Sequence, residues 1–273
     1  MHRARYGPHP SWTDSMPYTR PGDIPTAGDQ VYRDLSIVAI IPVWNEKDKI
    51  ATVLQRIPSE VVDEVLVIDD GSTDGSAEIC GSLGATVLRH ERCSGVGASL
   101  RDGYAHATAK GFDVAVVMAG NNKDAPEEIP RLLDPIAEGR ADFVQGSRYL
   151  DGKRDMGAMP LYRRLATRFH PWLFSRISGV RVTESTNGFR AIHSRVLADE
   201  RLELGAPELD GYGLEPHLYL RSIRLGYRIT EVSVTKRYPP RELGQTKMRP
   251  ILDWWAILRP LFSGDGDMER AGE

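Results

Sequence analysis

Residues 36–44 read SIVAIIPVW. This nearly unbroken apolar run is rich in β-branched side chains, the pattern of a strand buried on both faces, as in parallel sheets covered by helices on either side. A helix is expected to follow. Ile50, Val53, Leu54 and Ile57 recur at i, i+3, i+4, i+7 after Asn45 and Glu46, and Pro58 limits the far end.

The alternation continues outward from there. VDEVLVIDD (62–70) reads as a second strand, TDGSAEICGSLG (73–84) as a short helix and ATVLRH (85–90) as a third strand. In 95–111, Leu100, Tyr104 and Ala107 share a helical face that Gly111 is placed to end. FDVAVVMAG (112–120) is a fourth strand, Pro126 opens a helix carrying Ile129, Leu132, Leu133 and Ile136, and ADFVQGSRY (141–149) is a further strand. Beyond residue 150 the spacing predicts a helix kinked or broken at Pro171 (162–179), a helix ended by Gly226 (215–226) and a strand within 227–239. Strands alternating with helices imply an α/β, doubly wound, mainly parallel sheet with right-handed crossovers. Ligands of such sheets bind at the carboxyl ends of the strands, which singles out Pro42–Glu46, Asp69–Asp74, Ala119–Asp124 and Gly146–Tyr149.

With 273 residues, 41% hydrophobic and 27% charged, the chain has ordinary globular usage and buries a full core. Residues 1–34 are Pro- and Gly-rich without apolar periodicity and read as a flexible arm, 35–250 as one domain, and 251–273 as an amphipathic segment with a polar tail. No window approaches the roughly 20 apolar residues that cross a bilayer, and the arm lacks the apolar core of a secretion signal. Two cysteines make no disulfide framework, so a reducing cytoplasm is expected. The net charge of −3 argues against nucleic acid as a partner. The glycines of GVGASLRDG (95–103) do not follow the first strand and make no G-x-G-x-x-G, which argues against a dinucleotide site.

IIPVWNE (40–46), VLVIDDGSTDGS (65–76), GVGASLRDGYAHA (95–107), ADFVQGSRY (141–149), ESTNGFRA (184–191) and LGYRITEVSV (225–234) stand in order along the chain. Together they resemble the family 2 glycosyltransferases of GT-A fold, most of all the dolichyl-phosphate mannose synthase branch. That resemblance implies an inverting transfer of a hexose from a nucleotide diphosphate sugar to a polyprenyl phosphate. A soluble glycan or small-molecule acceptor, or a non-catalytic sugar-nucleotide-binding protein, stays open beside it. The turn after the second strand would hold the nucleotide, with Asp69 and Asp70 as acceptors and Pro42, Asn45 and Glu46 beside them. The same Asp-Gly-Ser-Thr-Asp run is also good turn chemistry in any protein.

MAGNNKDAP (118–126) departs from the family. The resembled synthases end this strand in Asp-x-Asp followed shortly by Gln, which hold a divalent cation on the donor diphosphate. Here Ala119 and Asn121 take the places of the aspartates and Lys123 that of the Gln. Mg²⁺ or Mn²⁺ wants anionic oxygens, and one amide beside an ammonium is a poor home. Lys123 is therefore expected to supply the positive charge, the alternative being a solvated loop lysine. Asn121 with Asp124 would be the ligands if a metal binds after all. Arg148 and Arg190 are expected near the phosphates. KRYPPRELGQTKMR (236–249), with Lys236, Arg237, Arg241, Lys247 and Arg249, reads as a basic lid or a solvated loop. Asp210, Glu215 and His217 are the candidates for a general base, needed only if the acceptor is a hydroxyl. Glu184 stands where the family has an aspartate, one methylene longer in reach. PILDWWAILRPLF (250–262) either docks as core or lies at the inner face of a membrane, bringing a soluble enzyme to a lipid.

Overall fold

The apolar run at 36–44 becomes β1 (Ile37–Val43), and helices cover both of its faces because every second side chain needs burial on each side. A computed structural model of the chain describes residues 32, 34–152, 159, 161–238 and 252–262. The remaining elements follow in chain order. The strands are β2 (Glu64–Asp69), β3 (Thr86–Arg89), β4 (Val114–Val117), β5 (Phe143–Ser147), β6 (Arg190–His193) and β7 (Ile229–Ser233). The helices are α1 (Lys47–Leu54), α2 (Ser76–Ser82), α3 (Val96–Lys110), α4 (Ile129–Ala137), α5 (Leu161–Ser178), α6 (Ser194–Leu197), α7 (Leu214–Arg224) and α8 (Leu252–Phe262).

Among the described residues the strands form one sheet in the order β3-β2-β1-β4-β6-β5-β7. β1 pairs in parallel with β2 and β4, β2 with β3, and β5 with β7. β6 runs antiparallel between β4 and β5, so the sheet is mixed. β6 has no counterpart among the strands expected from the sequence, because four residues, Arg-Ala-Ile-His, are too short to show an alternation. The chain winds outward from β1 to β3 and then returns to the other side of β1 as β4. The crevice between the ends of β1 and β4 is thus the switch point where such sheets bind ligands.

Odd residues of β1 (Ile37, Ala39, Ile41, Val43) pack with Ile50 and Val53 of α1 and Ile129, Leu132 and Leu133 of α4. Even residues (Val38, Ile40) pack with Leu100 and Tyr104 of α3, Phe174 of α5, Leu218 of α7 and Leu261 of α8. A Cβ at Gly103 would sit 2.5 Å from Ile40 Cγ2, so this glycine lets α3 lie directly on the sheet. α5 continues as helix past Pro171, so of the expected kink or break the break does not occur. The lost N–H costs about 3 kcal/mol. Burial of His170, Pro171 and Phe174 on its packed face offsets that cost.

Candidate active site

The loop after β1 and the turn after β2 are stitched together by short polar side chains. Asn45, in the left-handed region at φ 51°, accepts the Thr73 N–H at 2.9 Å through Oδ1. Its own N–H donates to Ser72 Oγ at 2.9 Å, the Glu46 N–H to Ser76 Oγ at 2.9 Å, and the Lys47 N–H to Asp74 Oδ2 at 3.1 Å. Asp74 also accepts from the N–H and Oγ of Ser76. Asparagine tolerates the left-handed backbone here, and short polar side chains, two serine hydroxyls, an amide and a carboxylate, let two loops share one set of bonds.

Asp70 is the hub of this end. Its buried carboxylate accepts from Ser94 N at 2.7 Å, Gly95 N at 2.9 Å, Cys93 Sγ at 3.2 Å and His90 Nδ1 at 2.8 Å. Burial pushes its pKa up, and the bonds from Ser94, His90, Gly95 and Cys93 more than offset this and hold it below the usual carboxylate range. His90 bridges Asp70 and Asp102; burial opposes its protonation, and the two carboxylates raise its pKa above the ordinary value. Asp69 lies on the opposite face of the strand, fully buried, 3.2 Å from Arg89 Nε.

A cavity of about 660 Å³ opens at the switch point. Pro42 of β1 with Trp44 and Glu46 just after it, Asp70, and Met118–Asn121 following β4 line one side. The α3 N-terminus, Gly211, Tyr212 and Glu215, with Asp253 and Ala256 of α8, close the other. The Gly-x-Gly at 95–97 now has a reason. A Cβ on Gly95 would meet the Asp210 carbonyl at 2.3 Å and one on Gly97 the Leu209 carbonyl at 1.9 Å, so these glycines admit the 209–211 segment that builds the wall.

At the end of β4, a Cβ on Gly120 would lie 2.9 Å from Val43 Cγ2, which fits the loop tightly against β1. Asn121 Oδ1 accepts the Lys123 N–H at 3.2 Å. Lys123 is not a solvated loop lysine. It is 7% exposed, with its ammonium 5.8 Å from the centre of the Tyr238 ring. Burial, then the charges of Arg163, Lys236 and Lys49, push its pKa down to about 8 against the pull of Glu46. Asp124 is buried too, with Oδ1 2.7 Å from Lys236 Nζ and Oδ2 accepting the Ala119 N–H at 3.3 Å. This donor set does not suit a hard divalent ion: Ala119 has no ligand atom, Asn121 offers one amide oxygen, and Asp124 is held by an ammonium. Among the described residues no group of three or more His, Cys, Asp or Glu is placed to hold a metal.

The other expected residues are held by partners of their own, Arg148 and Arg190 in ion pairs away from water. Arg148 Nε donates to Glu184 Oε2 at 2.5 Å, with further bonds to Thr186 Oγ1 and the Tyr238 hydroxyl. Burial opposes the Arg148 charge, and Glu184 more than restores it. Arg190 Nη2 lies 3.0 Å from Glu215 Oε1 and donates to the Asn187 carbonyl at 2.8 Å. Asp210 takes Arg101 at 2.7 Å. His217 is buried with Nε2 2.8 Å from the Leu202 carbonyl, and burial lowers its pKa. Arg241, Lys247 and Arg249, and all but a few residues of the N-terminal arm, lie outside the described residues. Sequence reasoning missed His90, Cys93, Tyr212 and Asn187. His90 carries a signal in its place at the carboxyl end of a strand, and Asn187 in its place within the 184–191 motif.

A family model described as glycosyl transferase family 2 matches residues 38–198. The chain belongs to glycosyl transferase family 2. It is a glycosyltransferase of GT-A fold. It is 34% identical to the undecaprenyl-phosphate mannosyltransferase of Micrococcus luteus over 78% of this chain and 88% of the relative. It is 33% identical to the polyprenol monophosphomannose synthase of Mycolicibacterium smegmatis over 77% of this chain and 80% of the relative. Among solved structures, glucosyl-3-phosphoglycerate synthase from Mycobacterium tuberculosis, in complex with Mn²⁺, UDP-glucose and phosphoglyceric acid, superposes with a TM-score of 0.64. That match covers 91% of this chain and 88% of the other at 24% identity, a likeness of fold.

Proposed function

We propose that this glycosyltransferase moves a hexose, with inversion, from a nucleotide diphosphate sugar to a polyprenyl phosphate, with Lys123 in place of a metal ion. The observation that carries the acceptor is the outer face of α5. Tyr162, Leu165, Phe169 and Trp172 recur at helical spacing and are all exposed. Arginines accompany them: the Arg176 guanidinium lies 5.7 Å from the Trp172 ring centre, and Arg168, Arg176 and Arg181 line a cleft of about 600 Å³ that reaches Tyr149 and Thr183, neighbours of Arg148 and Glu184. Trp255 and Phe262 of α8, which packs on α7 and α5, are exposed as well. Aromatic side chains among arginines suit the interface of an anionic membrane. Among the described residues no helix is long and apolar enough to cross one. The names of the two bacterial relatives, both transferring mannose to polyprenyl phosphates, support the same acceptor.

In this reading a phosphate oxygen of the acceptor attacks the anomeric carbon while the bond from that carbon to the donor β-phosphate oxygen breaks. The nucleoside diphosphate leaves with the electron pair. An acceptor phosphate is already anionic, so no general base is needed, which agrees with Asp210 and Glu215 both standing in ion pairs. The Lys123 ammonium stabilises the charge that develops on the leaving group. The test is transfer from GDP-mannose, UDP-glucose and dTDP-glucose to a short polyprenyl phosphate, in EDTA and in Mn²⁺. A lipid-linked sugar formed equally in EDTA is the expected result. Transfer to soluble acceptors alone overturns the acceptor, and strict Mn²⁺ dependence overturns the role of Lys123. Replacing Phe169 and Trp172 by alanine should weaken sedimentation with phosphatidylglycerol vesicles several-fold and leave transfer to detergent-dispersed acceptor intact.

A further inference from the structure

The fold brings a second lysine to the end of β4, 112 positions along the chain from the aspartate it meets. Residues 123–124 and 236–237 form a short antiparallel clasp, with a bridge between Asp124 and Lys236 and the Arg237 N–H donating to the Lys123 carbonyl at 2.7 Å. Inside it, Lys236 Nζ is 2.7 Å from Asp124 Oδ1 and 2.6 Å from Asn187 Oδ1. Asn187 is fixed in that orientation because its Nδ2 donates to the Gly146 carbonyl at 2.9 Å. The Asp124 side chain is 0% and that of Lys236 10% exposed.

We infer that Lys236 is a resident cation: its ammonium takes the carboxylate and amide oxygens that a divalent ion would otherwise recruit, and so keeps the β4-end loop free of metal. The inference rests on the reading of this loop as the donor diphosphate site. Two hard oxygens converging on one point are the beginning of a metal site, and an ammonium with three donors satisfies both of them at hydrogen-bond distance. Its charge also repels any further cation from the same oxygens. Asp124 is thus neutralised from within, while the Lys123 carbonyl is held separately by the Arg237 N–H of the clasp.

The experiment needs no substrate, so its outcome is separable from that of the transfer assay. Thermal unfolding of the full chain is followed through a Mn²⁺ titration for wild type, Lys236→Met and the double variant Asp124→Asn with Lys236→Met. Wild type and the double variant should be indifferent to Mn²⁺. Lys236→Met should melt lower without metal and regain about 4–10 °C at saturating Mn²⁺. Indifference of Lys236→Met overturns the inference, and so does an equal gain in the double variant. If Lys236→Met does not accumulate as folded protein, electron paramagnetic resonance of Mn²⁺ with the wild-type enzyme, nucleotide absent, decides: a stoichiometric bound ion overturns the inference and its absence supports it.

Discussion

The two ends of the crevice are built on different principles. At the β2 end, carboxylates and hydroxyls bond to backbone N–H groups of neighbouring loops, as Asp70 does with Ser94 and Gly95 and Asn45 with Thr73. At the β4–β5 end, side chains pair with side chains far along the chain: Lys236 with Asp124, Arg148 with Glu184, Arg190 with Glu215. The first design shapes a rigid pocket from loops that lie close together in space. The second gathers positive charge and balances it with carboxylates that are buried or half-buried. Such pairs cost desolvation whether or not they stabilise, so their yield is a fixed arrangement of charge more than stability.

The sharpest way to break this contrast is to strand a charge in the second region. Glu184→Ala leaves the Arg148 guanidinium buried without its carboxylate and should cost about 3–5 kcal/mol in urea unfolding, far more than the loss of an exposed pair. A cost below about 1 kcal/mol would mean that the pair is solvated and the contrast false.

Next in size is Lys123→Ala, expected to lower kcat by about 10²–10³-fold while the fold persists, as for loss of one donor to a developing anion. The same residue sets a pH limb. In the proposed role the ammonium is the active form; with the Lys123 pKa depressed to about 8, kcat/KM should fall as pH rises through about 8. Bound diphosphate favours the ammonium, which moves the limb of kcat to higher pH. Lys123→Arg should abolish the limb, because a guanidinium keeps its proton throughout that range. A limb unchanged in Lys123→Arg would assign it to another group.

The smallest effect belongs to the first region. Asp70→Asn keeps the shape but turns an NH₂ toward N–H donors, so donor binding should weaken about 10-fold, measured by calorimetry with the nucleotide diphosphate. An effect as large as that of Lys123→Ala would erase the distinction between shaping and charge.

Legibility in the sequence divides along the same line. β1, β2 and β4 announce themselves as β-branched runs, and their carboxyl ends point to the loops that follow them. Asp70, Pro42, Glu46, Asn121 and Glu215 do line the cavity. Lys123 was singled out by the carboxylates missing around it. What stayed hidden needs distance information. β6 is too short for a pattern, and the Gly95 and Gly97 pair shows its reason only when residues 209–211 pass against it. Arg148 and Arg190, marked for the phosphates, are held by Glu184 and Glu215.

By itself, then, the order of residues determined the alternating elements, the end of the sheet that carries the polar loops, and a β4 end with Ala119, Asn121 and Lys123. Periodicity and strand-end position are local properties, carried by neighbours in the chain. Only the tertiary structure decided which carboxylate each cation meets, and above all that Lys236 takes Asp124. Burial removes the water that would otherwise screen these charges, so partnership among them depends on which side chains the fold encloses together.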